Sequence, residues 1–307
     1  HLGDLFDRRK YVNIYTAYRA RNDFLDKLAK YNVHIIAGNH DVFYKSTNEV
    51  NILKEIANLS AFNVYTSPAE IEVDGKKILL LPWIAPDIEE ETLEAIKNTD
   101  ASICFGHLEL KGFEMHKGSF SESGQEPSTF GKFDIVCSGH FHHKSTYQNI
   151  NYLGSPWEMT WADFNDCKGF HIFDTDTLEL EFIANPHKLF HKVVYDDEGK
   201  QLTDVMNIDF KRFKSCYVKV VVKSKTNPFL YDQFIQKLED AGVSHLQAVD
   251  DHLNISLDID DEIINEAEST IDILQKSIRT IGIKQELEKP LEQLLRTLYN
   301  EASLIQS

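Results

Sequence analysis

The chain has 307 residues, 42% of them hydrophobic, which is enough to bury one large domain and a smaller one. Its formal net charge of −17 excludes the basic surface with which proteins usually bind nucleic acid unaided, so action on DNA would need bound metal ions or a partner. No apolar run approaches the roughly 18 residues of a membrane helix, and four cysteines without a Cys-x-x-Cys pair predict reduced thiols in a cytoplasmic protein.

The first motif lies at residues 3–7, which read Gly-Asp-Leu-Phe-Asp after two residues of a predicted strand. A carboxylate where a strand ends can bridge two cations and neutralise part of both charges, so Asp4 is a candidate metal ligand. Residues 14–30 then predict a helix. Its predicted inner stripe consists of Tyr15, Tyr18, Phe24, Leu25 and Leu28.

A second predicted buried strand, residues 33–37, runs into the sequence Gly-Asn-His-Asp at residues 38–41. Asn39 offers a neutral oxygen ligand. His40 stands beside the carboxylate of Asp41 and is a candidate proton donor, because a neighbouring acid orients and charges an imidazole. The motif therefore favours a functional site over a structural histidine.

The next stretch predicts local structure. Residues 46–49 fit a capping box that opens a helix to about residue 58. Residues 71–82 predict a hairpin with its turn at Asp74 and Gly75. Asp87 is predicted to cap a helix that ends near Lys97.

Two more predicted strands run into histidines: residues 101–105 lead to His107, and residues 133–136 lead to His140 and His142. Histidines two residues apart in a loop can aim at one small volume, and sites gather beyond the carboxyl ends of strands. One such loop alone is more often structural, but four strand-end motifs in order favour a metal site. Residues 111–130, between these strands, predict a long mobile loop near it.

The character of the chain changes near residue 185. Before it, strands near 145–153 and a hairpin of residues 169–173 and 178–183 complete the first domain. Residues 215–280 predict a small α+β unit in the order strand, helix, strand, strand, helix. Residues 291–305 predict an amphipathic C-terminal helix that either packs on its own domain or docks on a partner.

These residues describe a two-metal centre that acts on phosphoryl groups. Carboxylate, amide oxygen and imidazole together suit Mn²⁺, Fe²⁺ or Zn²⁺. Such a centre lowers the pKa of a bound water and clamps a phosphoryl group, while His40 would stabilise charge on its oxygens or protonate the leaving oxygen. The candidate ligands are Asp4, Asn39, His107, His140 and His142.

The ordered motifs resemble those of the calcineurin-like metallophosphoesterases. The sequences Tyr-Leu-Gly-Ser-Pro-Trp at 152–157 and Gly-Phe-His-Ile-Phe-Asp at 169–174 also resemble the SbcD-type nuclease subunits of recombination-repair complexes, including those of T-even-type phages. The resemblance implies an α/β fold, a four-layer α/β/β/α sandwich, over residues 1–195. It further implies an α+β capping domain over 196–284 and a C-terminal helix over 285–307.

The resemblance also implies a role for each site residue. Asp4 would bridge both metals, and His142 would bind the second. The residues on the first metal would be Asn39, His107 and His140, with His40 as the catalytic histidine and Asp41 as its partner. The family further implies Mn²⁺ as the metal, DNA as substrate, an SMC-like coiled-coil ATPase subunit bound near residues 291–305, and a homodimer within a heterotetramer. No membrane partner is expected, and the predicted location is the bacterial or phage-infected cytoplasm.

One departure from the family pattern concerns the start of the chain. The superfamily opens with an Asp-x-His strand end upstream of Gly-Asp, and no such motif precedes Gly3. We therefore expect a first strand and two ligands of the second metal to be missing, which leaves one complete site. The open alternatives are another phosphoesterase, acting on phosphoproteins or small phosphodiesters, and an inactive subunit that only docks on the ATPase.

Overall fold

The computed structural model describes residues 1–8, 10–55, 62–116 and 119–250, which form a mixed α/β fold as predicted. The strands are β1 (Val33–Ile36), β2 (Phe62–Tyr65), β3 (Ala69–Val73), β4 (Lys76–Leu81), β5 (Ile103–Gly106), β6 (Glu114–His116), β7 (Ser119–Phe120), β8 (Ile135–Ser138), β9 (Ser145–Tyr147), β10 (Ile150–Tyr152), β11 (Gly169–Phe173), β12 (Leu180–Ala184), β13 (Phe190–Asp196), β14 (Tyr217–Ser224) and β15 (His245–Asp250). The α-helices are α1 (Ile14–Arg19), α2 (Asp26–Leu28), α3 (Ile52–Glu55), α4 (Glu89–Asn98), α5 (Leu202–Met206) and α6 (Pro228–Asp240). Residues Ala20–Leu25 form a π-helix between α1 and α2, and the 3₁₀ turns are Pro127–Phe130, Trp161–Asp163 and Lys211–Phe213.

The largest sheet has six strands in the order β3-β4-β5-β8-β10-β9. Its four central strands run parallel, while β3 and β9 pair antiparallel at the edges. Parallel strands covered on both faces read as continuous apolar runs, and β8 is accordingly buried along its whole length. The parallel arrangement brings the carboxyl ends of β4, β5 and β8 to one edge.

Hydrogen bonds bring the remaining strand-end motifs to the same edge. The N–H of Trp83, just after β4, donates to the carbonyl of Ala37, just after β1, at 2.8 Å. The chain start lies along β1, because the N–H of Ile36 donates to the carbonyl of His1 at 3.2 Å. The four predicted motifs therefore meet, although Asp4 and His140 are 136 positions apart in sequence.

A second sheet contains the parallel strands β13, β14 and β15, with α6 in the connection between the last two. Val220 of β14 packs with Leu230 and Phe234 of α6 in one apolar cluster. The predicted strand, helix and strand between residues 215 and 249 are confirmed. The predicted strand at 253–257 and the helices at 261–280 and 291–305 lie outside the described residues, and the layered sandwich and the capping role stay predictions.

The first helical segment buries a different face from the predicted one. Leu25 is buried, but Tyr15 and Tyr18 are 65% and 61% exposed. The π-helical turn Ala20–Leu25 explains the error. Its i→i+5 hydrogen bonds rotate the side chains that follow, so a stripe counted at 3.6 residues per turn no longer faces one way.

Two predicted helix starts are also wrong. The helix expected from the capping box at 46–49 begins at Ile52, and the Asn51 side chain accepts from the N–H of Lys54 at 3.0 Å. The nearby Asn48 side chain donates to the Trp83 carbonyl at 2.7 Å, a long-range contact that local sequence does not reveal. Helix α4 begins at Glu89 without a side-chain cap, so Asp87 does not cap it.

The stretch predicted as a long mobile loop, residues 111–130, contains short elements, the antiparallel strands β6 and β7 and a 3₁₀ turn, while its mobility stays a prediction. Phe113 and Phe130 are buried, and the Phe113 ring lies 4.9 Å from that of Tyr152. Phe113 and Phe130 are apolar residues scattered among polar ones, so the sequence of this segment predicts a loop. None of the described helices is long and apolar enough to cross a membrane.

Candidate metal centre

Four of the five predicted ligands converge at the strand ends. Ligand atoms of Asp4, His107 and His140 all lie within 4.8 Å of one another. His107 Nε2 lies 3.2 Å from Asp4 Oδ2 and 2.9 Å from Asn39 Oδ1. His140 Nδ1 lies 3.0 Å from the same Asn39 oxygen. The chain start and the ends of β1, β5 and β8 each contribute one side chain.

The backbone sets the orientation of the His107 ring. Its Nδ1 lies 2.6 Å from the carbonyl oxygen of Leu2, which can only accept a hydrogen bond. Nδ1 therefore carries a hydrogen, and in the neutral ring the Nε2 lone pair faces Asp4 and Asn39. A carbonyl partner on the second nitrogen is typical of histidines that bind metal ions.

The donor set fits a divalent cation. The Asp4 carboxylate, the Asn39 amide oxygen and the lone pair of neutral His107 all present negative charge density to one small volume. They repel one another unless a positive charge lies between them. One carboxylate, one amide oxygen and two imidazoles are a mixture that suits Mn²⁺, Fe²⁺ or Zn²⁺.

The pKa values of the cluster show how strongly these groups interact. Burial alone would raise the pKa of Asp4, but the adjacent His107 lowers it well below its ordinary value. Burial alone would lower the pKa of His107, but the Asp4 carboxylate, the Leu2 carbonyl and the charge of Asp41 together raise it above its ordinary value. Burial, followed by the charge of His107, holds the pKa of His140 well below its ordinary value. A cation bound between Asp4 and His107 needs the neutral form of His107, so its binding would displace any proton on Nε2.

The backbone is strained at two of the candidate ligand positions. Asp4 has φ = 55° and His140 has φ = 80°, both in the left-handed region that non-glycine residues avoid at a cost of about 1–3 kcal/mol. Gly38 packs so closely on this loop that a Cβ there would overlap the Asp4 carboxylate. Such strain persists only where the surrounding contacts hold the backbone in place, and it is commonly found at functional sites.

The Asp41 carboxylate holds the backbone around Asp4. Its carboxylate, 1% exposed, accepts hydrogen bonds from the N–H groups of Asp4 at 2.8 Å, Leu5 at 2.9 Å and Gly38 at 2.9 Å. Burial and the charge of Asp4 raise the pKa of Asp41 to about 6. Asp41 therefore holds the loop that carries Asp4. Its role as the partner of His40 stays a prediction.

His40 takes its orientation from the backbone. Its Nδ1 lies 2.5 Å from the carbonyl oxygen of Asp7, and its own N–H donates to Asp4 Oδ1 at 2.8 Å. A carbonyl partner requires a hydrogen on Nδ1. His40 thus lies next to the candidate ligand Asp4.

His142 does not belong to the group formed by Asp4, His107 and His140. It is half-buried, and its carbonyl accepts hydrogen bonds from Lys168 Nζ at 2.6 Å and from the N–H of Ser155 at 3.1 Å. Its place as a metal ligand stays a prediction. Sequence reasoning missed Lys168, whose signal is a charged residue set directly before the apolar strand β11.

Trp83 is a second residue that sequence reasoning did not place at the centre. Its ring centroid lies 5.3 Å from that of His140 and 6.3 Å from that of His107. Trp83 follows β4, whose carboxyl end lies at the same edge as the metal ligands. The signal that could have found it is therefore its position after a buried parallel strand.

Comparison with known proteins agrees with this geometry. Residues 1–144 match the family model described as calcineurin-like phosphoesterase, and all five predicted ligands fall within that range. The chain is similar to exonuclease subunit 1 of Enterobacteria phage T4, with 35% identity over 305 residues that cover 98% of this chain and 86% of the relative. It is also similar to the SbcD subunit of the nuclease SbcCD of Staphylococcus epidermidis, with 26% identity over 191 residues that cover 52% of this chain and 50% of the relative.

Proposed function

The chain belongs to the calcineurin-like phosphoesterase family, and on that premise we propose that it is a metal-dependent nuclease subunit that hydrolyses DNA phosphodiester bonds. The observation that carries the proposal is the convergence of Asp4, Asn39, His107 and His140 at the strand ends. The names of the two relatives, one an exonuclease subunit and one a subunit of a nuclease, support a nucleic-acid substrate.

The four converging residues would hold one divalent cation, and we propose Mn²⁺ as that ion and His142 as a ligand of a second. When bound, the ions would supply a water of lowered pKa and positive charge beside the phosphoryl oxygens. Asp4 is the residue suited to both ions, because it offers two carboxylate oxygens and its low pKa keeps it ionised.

His40 would act on the substrate. Because its Nδ1 is held on the Asp7 carbonyl, we assign the proton given to the leaving oxygen to Nε2. The backbone N–H of His40 also donates to Asp4 Oδ1, so a shift of the backbone at His40 would disturb Asp4 as well. This bond comes from the backbone of His40, so an alanine at position 40 would keep it.

We further propose that the subunit acts as a dimer together with an SMC-like coiled-coil ATPase. The support is that both relatives carry names that make them one subunit of a larger nuclease. The proposed docking helix at residues 291–305 lies outside the described residues. Such a partner would supply the DNA-binding surface that the acidic chain lacks by its overall charge.

The test compares Mn²⁺ binding with nucleotide release from linear double-stranded DNA in four proteins. Wild type is expected to bind Mn²⁺ and release nucleotides. His107→Ala is expected to lose both, because it removes a ligand. His40→Ala is expected to keep Mn²⁺ binding but to release nucleotides about 10²–10⁴-fold more slowly, because it removes the proton donor. The control His187→Ala, at an exposed histidine outside the centre, is expected to match wild type.

Equal DNA cleavage by wild type and His40→Ala would contradict the proposed mechanism. Hydrolysis of a small phosphate ester without DNA cleavage would favour another phosphoesterase. Mn²⁺ binding without hydrolysis of either substrate would favour a structural subunit.

A further inference from the structure

A buried lysine lies beside the loop that carries His140 and His142. The Lys168 side chain is 3% exposed and directly precedes β11. Its Nζ lies 2.7 Å from Asp163 Oδ1, 2.8 Å from Asp166 Oδ2 and 2.6 Å from the carbonyl oxygen of His142. An ammonium group has three hydrogens, so these acceptors use its full donor capacity.

We propose that Lys168 is a positioning residue of the metal centre. By holding the His142 carbonyl, it fixes the peptide plane between His142 and His143 and with it the direction of the His142 side chain. This inference rests on the proposed metal-binding function, and it assigns Lys168 no contact with the substrate.

The two carboxylates leave the ammonium group little freedom. Asp163 is 2% exposed, and its Oδ2 accepts from the N–H groups of Met159 at 2.9 Å and Thr160 at 3.0 Å. Asp163 is thereby fixed to the backbone on one side and to Lys168 on the other. Breaking a buried ion pair of this kind leaves an uncompensated charge, so the arrangement resists displacement.

The same ion cluster holds the next residue of the loop. Asp166 Oδ1 lies 3.1 Å from His143 Nδ1, while Asp166 Oδ2 binds Lys168. The N–H of Ser155 adds a second hydrogen bond to the His142 carbonyl at 3.1 Å. His142 and His143 are thus anchored two and three positions after His140. A strained φ such as the 80° of His140 persists only where the surrounding contacts hold the backbone.

Lys132 offers a matched control for a merely structural role. Its Nζ also donates three hydrogen bonds to carbonyl groups, those of Ile96, Lys97 and Thr99 at 3.1, 3.2 and 2.6 Å. These carbonyls belong to the end of α4, so Lys132 supports a helix terminus and touches no candidate ligand.

The experiment compares Lys168→Met with Lys132→Met in the full chain. One readout is Mn²⁺ affinity by titration calorimetry, and the other is hydrogen exchange of the metal-free protein. Lys168→Met is expected to weaken Mn²⁺ binding about 10–100-fold, as substitutions behind a metal ligand commonly do. It should also speed exchange selectively in residues 139–143. Lys132→Met should leave the affinity unchanged and speed exchange near residues 96–99, while Lys168→Arg should recover part of the affinity.

The possible failures are distinguishable. If wild type binds Mn²⁺ no better than His107→Ala, the proposed metal centre itself is wrong. If wild type binds Mn²⁺ and Lys168→Met binds it equally well, only the positioning role is overturned. Should Lys168→Met fail to fold, Lys168→Gln takes its place, because a shorter, neutral amide cannot hold both carboxylates and the His142 carbonyl. A loss of affinity is again expected, and an unchanged affinity would overturn the inference.

Discussion

Asp41 and His40 are neighbours in sequence, yet their side chains hold different parts of the site. The Asp41 carboxylate receives three backbone N–H groups and so shapes the loop of Asp4. The His40 ring rests on the Asp7 carbonyl. Adjacent residues in a turn point in different directions, so a shared motif does not imply a shared contact. Substitutions at the two positions should therefore affect different steps.

Asp41→Asn is expected to weaken Mn²⁺ binding about 10–100-fold, because an amide has one acceptor oxygen for three N–H donors and the loop of Asp4 loosens. Calorimetric titration with Mn²⁺ measures the effect. The matched control is Asp174→Asn, where a carboxylate oxygen accepts from the N–H groups of Asp176 and Thr177 in a turn away from the centre. If Asp41→Asn instead binds Mn²⁺ normally and loses cleavage as His40→Ala does, Asp41 acts through His40 after all.

At the scale of elements, the segment between β10 and β11 connects the two sheets. Near one end, Glu158 Oε2 accepts from the N–H groups of Leu189 and Phe190 at 2.7 and 2.9 Å, where β13 begins. In between, the Trp161 ring lies 4.9 Å from that of Phe190. At the other end, Lys168 holds the His142 carbonyl. The strand β13 and the loop that carries His142 are therefore joined through a dozen residues.

Asp197 makes a comparable connection between β13 and α6. Its carboxylate accepts from the N–H groups of Thr226 at 2.7 Å and Asn227 at 2.8 Å and from the Tyr195 hydroxyl at 3.0 Å. Burial alone would raise the pKa of Asp197, but the hydrogen bonds from Thr226 and Asn227 lower it to about 2. Because the folded-state pKa lies below the unfolded value of about 3.9, the ionised group stabilises the fold above that value.

This linkage predicts a pH-dependent effect of Asp197→Asn. The variant should lose about 1–2 kcal/mol of unfolding free energy at pH 7, allowing for solvent screening. The difference from wild type should stay constant between pH 7 and 5 and shrink as the pH falls from about 4 towards 2, where Asp197 becomes protonated. Urea denaturation of both proteins at several pH values measures it. An equal difference at pH 7 and at pH 3 would mean that the carboxylate charge contributes nothing.

At the scale of the whole molecule, the net charge of −17 opposes binding to a polyanion. Cations in the centre would reverse the field locally, where Asp4 and its neighbours lie. Binding to DNA should therefore depend on the metal before any catalysis takes place.

We expect the metal-free chain to show no measurable binding to linear double-stranded DNA in fluorescence anisotropy. Mn²⁺ should make binding detectable in wild type and leave His107→Ala unchanged. The logarithm of the binding constant should fall only shallowly with the logarithm of salt concentration, because few lysine or arginine contacts to phosphate are made. Tight metal-free binding with a steep salt dependence would reveal a basic surface that the overall charge conceals.

The sequence by itself determined the strand-end motifs, the set of candidate ligands and the family. These are local properties. A buried strand shows as an apolar run of a few residues, and in each motif a glycine directly precedes a candidate ligand. It also indicated the parallel strands that bring Asp4, Asn39, His107 and His140 to one edge, since the carboxyl ends of parallel strands must meet.

Only the tertiary structure decided how these residues are held. Contacts between distant segments give Asp41 its hydrogen-bond partners and place Trp83 beside His140. They also join Lys168 to the His142 carbonyl by a hydrogen bond. The exposed face of the first helix likewise depends on a π-helical turn, which the helix propensities of the residues do not predict. Hydrogen bonds and packing across many residues carry no local pattern, so the position of each supporting group emerges only when the chain has folded.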